Sequence, residues 1–180
     1  MRRAAPVIVA VLAVPMAACG EADQGTGAAP SKKPAAKGSA DKAPLKLGQE
    51  VTLKGLNDAR MKVRVLKIED PMKSPPTERP KPGRHFVGVR IRLTNLGKET
   101  YKDSPLNGAR LVTTVKKASN PTILLSGKCP SKFGTGMSIA AGKARTGCLP
   151  FQVKRGAKVT AFQFRLDSGY GPEMGEWSAP

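Results

Sequence analysis

The sequence predicts an all-β fold of about seven short antiparallel strands, arranged as a sandwich or a barrel. Three observations support this prediction. Apolar and polar residues alternate along most of the chain after residue 45, which is typical of half-buried strands. The 19 glycines and 16 prolines among 180 residues supply turns between these stretches. No stretch of the sequence combines a long helical period with capping residues.

The first 18 residues have the pattern of a secretory signal. Arg2 and Arg3 precede an apolar stretch over 6–15, which is too short to cross a bilayer as a stable helix. The next residues, Met-Ala-Ala-Cys-Gly, resemble the lipobox of bacterial lipoproteins, in which cleavage precedes a cysteine that carries a diacylglycerol. This resemblance implies that Cys19 is the first mature residue and the lipid anchor. The alternative is an ordinary cleaved signal followed by a free cysteine.

Residues 19–44 are expected to be a disordered tether, and residues 45–180 one folded domain. After Cys19 the tether contains almost no large apolar residue, and it is rich in Gly, Ala, Lys and Pro. Such a segment cannot bury enough apolar area to offset the conformational entropy that ordering would remove.

The folded part is predicted to begin with a short strand that contains Val51 and Leu53. In the second strand the apolar parity changes after Val65, which predicts a β-bulge near that residue. Five prolines over 70–83 predict an exposed loop without regular strand pairing. The remaining strands are predicted over 87–93, 110–115, 122–125, 149–153 and 159–166. The strand over 159–166 is predicted to be the last strand of the chain.

A family resemblance refines this fold. The stretch 86–97 reads Phe-Val-Gly-Val-Arg-Ile-Arg-Leu-Thr-Asn-Leu-Gly, and Cys129, Gly142 and the stretch Cys148-Leu149-Pro150-Phe151 follow it. Together they resemble an uncharacterised immunoglobulin-like domain family, of unknown function, found on bacterial lipoproteins and secreted antigens. The resemblance covers about residues 47–168. It implies an immunoglobulin-like antiparallel β-sandwich, and it implies no activity, so no catalytic residue can be transferred.

Cys129 and Cys148 lie 19 positions apart in a chain that is expected to be exported. Paired cysteines of exported proteins are usually oxidised, and a bridge here would contribute about 3 kcal/mol in the chain-entropy model. The alternative is a redox-active or metal-binding thiol pair. Redox pairs normally have only two residues between the cysteines and zinc needs more ligands, so we predict a structural disulfide.

The formal net charge is +18, and most of it falls within 45–180. Lys62 and Arg64 alternate with apolar residues on one predicted strand, and Arg90 and Arg92 do so on the next. If these strands pair, the four cations form a stripe that attracts anionic lipids or wall polymers. The alternative is a solvated face without a ligand. Aromatic side chains do not interleave with the cations, which argues against nucleic acid as a partner.

Other basic residues cluster at predicted turns. These are Lys116, Lys117, Lys154, Arg155 and Lys158.

The sequence contains no recognisable catalytic constellation. His85 is the only histidine, which excludes a metal centre built on several histidines. Neither a Gly-x-Ser-x-Gly elbow nor a phosphate-binding loop is present. The acidic pairs Glu69/Asp70 and Glu173/Glu176 are interpreted as solvated surface. We therefore predict no catalytic residue, no metal and no cofactor.

Two functions follow as hypotheses. The first is a lipid-anchored protein on the extracytoplasmic face of the cell membrane, whose domain is a non-catalytic binding module for a protein or for anionic envelope components. The second is a small envelope hydrolase or an enzyme-modulating lipoprotein, for which His85 and Asp70 are the residues to test.

Overall fold

The computed structural model describes residues 43–115 and 118–180. The predicted signal, Cys19 and the predicted tether before residue 43 lie outside this part, as do Lys116 and Lys117. No helix in the described ranges has the length and apolar character needed to cross a bilayer. The described strands and the single short α-helix are β1 (Glu50–Lys54), β2 (Arg60–Met72), β3 (Arg84–Asn95), β4 (Tyr101–Asp103), α1 (Pro105–Gly108), β5 (Ala109–Thr113), β6 (Met137–Ile139), β7 (Ala144–Lys154), β8 (Val159–Arg165) and β9 (Met174–Ser178).

The strands form two main antiparallel sheets and a small ribbon. The first sheet has the order β1-β2-β3-β7, and the second has the order β5-β8-β9. Strands β4 and β6 pair with each other. Two of the three neighbouring strand pairs in the first sheet, β1–β2 and β2–β3, follow from short chain connections, whereas β7 joins β3 after a crossover of about 50 residues.

The core lies between the inner faces of the two main sheets, because one side of each strand is apolar. Val63, Val89 and Leu149 from the first sheet are completely buried. The ring of Phe151 on β7 meets the ring of Phe162 on β8 edge to face, with 6.3 Å between their centroids. This packing confirms the predicted all-β sandwich.

The predicted bulge in β2 is confirmed by a register shift between Val65 and Lys67. The prediction that pairing stops at residue 70 was wrong, because β2 continues to Met72 through a cis Asp70–Pro71 peptide bond. A second register shift, between Glu69 and Met72, lets the strand pass Pro71, which has no N–H to donate. Residues 73–82 do form a connection without strand pairing, which is exposed except at the buried Pro75 and the half-buried Glu78 and Pro80.

Residues 122–125 do not form the strand that was predicted. Pro121 makes an isolated bridge to Phe151, and the Thr122 N–H donates to the Pro150 carbonyl at 2.8 Å. Neither Pro121 nor Pro150 has an N–H, so the ladder along this edge of β7 cannot continue. The segment instead folds over the outer face of the first sheet.

The prediction that the strand over 159–166 is the last was also wrong. Strand β9 follows it and pairs with β8, with Trp177 opposite Phe162. Trp177 is fully buried, and its Nε1–H donates to the Gln49 carbonyl at 3.1 Å. The segment therefore completes the core.

Candidate functional site

Four cationic side chains project from the outer face of the first sheet. Lys62 and Arg64 alternate along β2 with completely buried residues, and Arg90 and Arg92 do the same along β3. Because successive side chains of a strand point to opposite faces, all four point away from the core. Lys62 is half-buried, and the other three are exposed.

The pairing of β2 with β3 places these cations directly beside one another. Arg64 lies opposite Arg92 in the ladder. The bulge after Val65 then brings Lys67 opposite Arg90, which the sequence pattern alone did not indicate. We call the five residues Lys62, Arg64, Lys67, Arg90 and Arg92 the basic stripe.

Two carboxylates neutralise part of the basic stripe. Glu50 on β1 lies 3.4 Å from the Lys62 Nζ and 3.9 Å from the nearest Arg64 guanidinium nitrogen. Glu69 lies 3.2 Å from the Lys67 Nζ. Among the described residues, no carboxylate comes within ion-pair distance of Arg90 or Arg92. The stripe therefore has an excess of positive charge that is concentrated on β3.

A second, small apolar cluster covers the other half of this outer face. A disulfide joins Cys129 to Cys148 on β7, with 5.1 Å between their Cα atoms. It holds the segment after residue 121 against the sheet, where Leu124 packs with Met72 and Phe86. The cluster marks one end of the basic stripe and leaves the rest of the face open to solvent.

The structure brings His85 and Asp70 together, although their positions in sequence did not indicate a pair. The His85 Nε2 and the Asp70 Oδ1 lie 2.6 Å apart, near the start of β3 and the end of β2. No other hydrogen-bond partner of the His85 ring occurs among the described residues. Among the described residues, no hydroxyl or thiol is shown hydrogen-bonded to this pair, as an activated nucleophile would be.

The acidic residues Glu173 and Glu176 have hydrogen-bond partners in the described part. A Glu173 carboxylate oxygen accepts the Lys54 N–H at 2.7 Å, and Glu176 accepts from the Gln163 side chain at 2.6 Å. No group of three potential metal ligands is found among the residues that the structure describes.

Tyr101 and Asp103 connect β4 to the turn after β8 through hydrogen bonds. The Tyr101 hydroxyl donates to Asp103 at 2.9 Å and accepts the Asp167 N–H at 2.9 Å. Asp103 also accepts the N–H and the hydroxyl of Ser168, at 2.8 and 3.0 Å. Burial raises the pKa of Tyr101 above its ordinary range, so the hydroxyl keeps the proton that it donates. These contacts indicate a structural role.

Fold and site together define a disulfide-bonded antiparallel β-sandwich that displays a basic outer face. The chain belongs to the family described as "Domain of unknown function (DUF4352)", whose model matches residues 45–173. No curated protein sequence matches the chain significantly.

Several solved structures have a similar fold. MPT63, a secreted protein from Mycobacterium tuberculosis, is 16% identical, with a TM-score of 0.54 over 78% of this chain and 100% of its own. The yjhA protein from Bacillus subtilis is 14% identical, with a TM-score of 0.46 over 67% of this chain and 79% of its own. The lipoprotein candidate ycdA from Bacillus subtilis is 14% identical, with a TM-score of 0.48 over 76% of this chain and 39% of its own. The similarity to MPT63 supports the sandwich fold.

Proposed function

We propose that the protein is a lipid-anchored binding module on the extracytoplasmic face of the cell membrane. In this proposal it is not an enzyme, and its basic stripe binds the phosphate groups of anionic envelope components, which are lipid headgroups or wall polymers. The anchor is the diacylglycerol on Cys19, as the lipobox-like sequence implies.

One observation carries the binding part of this proposal. Arg64 faces Arg92 directly across the β2–β3 ladder, and Lys67 faces Arg90 one step further along. Like charges directly opposite each other destabilise an antiparallel pair. An anion that lies across the two strands would reverse this effect, because each of its oxygens could accept hydrogen bonds from facing cations.

The surroundings of the basic stripe favour an extended anionic surface as the ligand. The stripe lies on a regular sheet, so its cations are held in a fixed spacing by the backbone ladder. Basic residues close to an anionic surface each contribute about 1 kcal/mol to binding. The cavity on this face between Lys67, Arg90 and the disulfide has a volume of only about 50 Å³, which is too small for most organic ligands.

Binding can be tested by co-sedimentation with phosphatidylglycerol vesicles and with envelope fragments, over a range of salt concentrations. We expect binding to weaken steadily as salt increases. The double variant Arg90→Gln/Arg92→Gln should bind about tenfold or more weakly than the wild-type protein. The charge-matched control is Lys98→Gln/Lys102→Gln, which removes two exposed cations outside the basic stripe and should bind normally.

Two results would contradict the binding proposal. One is binding that does not depend on salt. The other is equal weakening by the stripe variant and by the control, which would show a response to net charge alone.

The anchor has a separate test. Substitution Cys19→Ser removes the sulfur that would carry the diacylglycerol, so the protein should appear in the medium instead of the membrane fraction. Retention of the variant in the membrane fraction would contradict lipidation of Cys19.

The contact between His85 and Asp70 favours a second candidate, a small envelope hydrolase. The test is hydrolysis of envelope fragments by the wild-type protein and by His85→Gln. Product release that depends on His85 would support this candidate, and activity that survives the substitution would remove the pair from it.

A further inference from the structure

A second basic site lies at the opposite end of β3 from the basic stripe. It is a groove of about 490 Å³ between the first sheet and the segment that follows β5. Three cations of the described residues line it: Lys81 from the proline-rich connection, Arg84 at the start of β3 and Lys154 at the end of β7. Arg84 and Arg92 are separated by eight residues of one strand, which corresponds to about 27 Å at about 3.4 Å per residue.

The charges of this groove are not balanced within the described structure. Arg84 lies directly opposite Lys154 in the β3–β7 ladder, which is again a pair of like charges. No carboxylate is among the residues that line the groove. Lys81, Arg84 and Lys154 are all exposed, and none of them has a carboxylate within ion-pair distance in the described ranges.

Hydrogen bonds hold the floor of the groove in one arrangement. The Gln152 carbonyl accepts from the Arg84 Nη1 at 3.0 Å, and the Gln152 Oε1 accepts the Lys81 N–H at 2.8 Å. The Gln152 Nε2 donates to the Thr122 Oγ1 at 3.2 Å. Because the Thr122 oxygen accepts this bond, its own O–H remains available as a donor. Gln152 thus orients a guanidinium, a main-chain segment and a hydroxyl at once.

We propose that this groove binds the phosphate group of a small phosphate ester. A phosphate offers several acceptor oxygens and a double negative charge, which suits the two facing cations, Lys81 and the Thr122 hydroxyl. The groove is far larger than one phosphate needs, and Val115, Ala118 and Pro121 supply an apolar wall for the organic part. The site is distinct from the basic stripe and does not depend on the function proposed for that stripe.

The proposal also accounts for two sequence features that the basic stripe leaves unexplained. The proline-rich connection carries Lys81 to the groove, and the Lys81 N–H fixes the Gln152 side chain there. The basic cluster at the β7–β8 turn contributes Lys154.

The test is isothermal titration calorimetry of the purified full chain with phenyl phosphate and with inorganic phosphate at low salt. We expect saturable binding of phenyl phosphate, weakened about tenfold by Lys154→Gln and by Arg84→Gln, since each removes a charge-assisted contact. Lys98→Gln and Arg92→Gln are the matched controls and should leave the affinity unchanged. Amide resonances of Gln152 and Thr122 should shift during the titration.

Several results would overturn the proposal. These are the absence of saturable binding, tighter binding of inorganic phosphate than of the ester, or equal losses in the groove variants and the matched controls. Binding of the same variants to phosphatidylglycerol vesicles distinguishes a lipid headgroup from a soluble phosphate ester as the ligand. If Lys154→Gln weakens vesicle binding but not phenyl phosphate binding, the site serves a lipid headgroup and the soluble ester is excluded. Circular dichroism of each variant verifies that the fold is retained.

Discussion

Gly147 on β7 illustrates how one residue determines the local packing of the disulfide-closed segment. A Cβ built at this position would overlap the Phe133 ring, which lies within the loop that the disulfide closes. Phe133 is buried, with 5% of its surface exposed. The ring therefore occupies space that exists only because residue 147 has no side chain.

The substitution Gly147→Ala should lower the free energy of unfolding by about 3 kcal/mol, because Phe133 must leave its site or the strand must move. Urea denaturation, followed by the fluorescence of the single tryptophan, measures this change. Gly136→Ala is the matched control, since a Cβ there meets no atom within 4 Å. An equal effect of the two substitutions would refute this packing account.

At the scale of elements, the clearly alternating strands could be predicted from sequence and the short or interrupted ones could not. The second and third strands were predicted because several β-branched and leucine residues recur with period two. Strands β4 and β6 have only three residues each, which is too few to establish a period. In β9 the buried positions are Gly175 and Trp177, and a glycine carries no apolar signal in a pattern.

The disulfide joins the segment after residue 121, which forms no strand, to β7. Removing it with Cys129→Ala/Cys148→Ala should cost about 3 kcal/mol of stability, because the bridge closes a loop of about 20 residues. Comparison of urea midpoints for the wild-type protein with and without reductant, and for the variant, measures the effect. The variant should not respond to reductant. Equal stability of the oxidised wild-type protein and the variant would contradict a structural role for the bridge.

At the scale of the whole molecule, the outer face of the first sheet is divided into a covered half and an open basic half. Alternation along each strand could predict that Lys62 and Arg64, and likewise Arg90 and Arg92, share a face. It could not predict that Arg64 faces Arg92, because register depends on the turn and on the bulge. The groove at Lys81 could not be predicted either, since its residues come from three distant segments.

The most direct test of the central claim, that the basic stripe binds an anionic surface, is the affinity of Arg92→Glu for phosphatidylglycerol vesicles. The substitution places a carboxylate opposite Arg64, so the cross-strand repulsion becomes an attraction and the fold should not lose stability. We predict that vesicle affinity falls by about tenfold or more at low salt, whereas the exposed control Lys98→Glu retains most of it. Unchanged affinity in Arg92→Glu would contradict the account, because the stripe would then be only a solvated face.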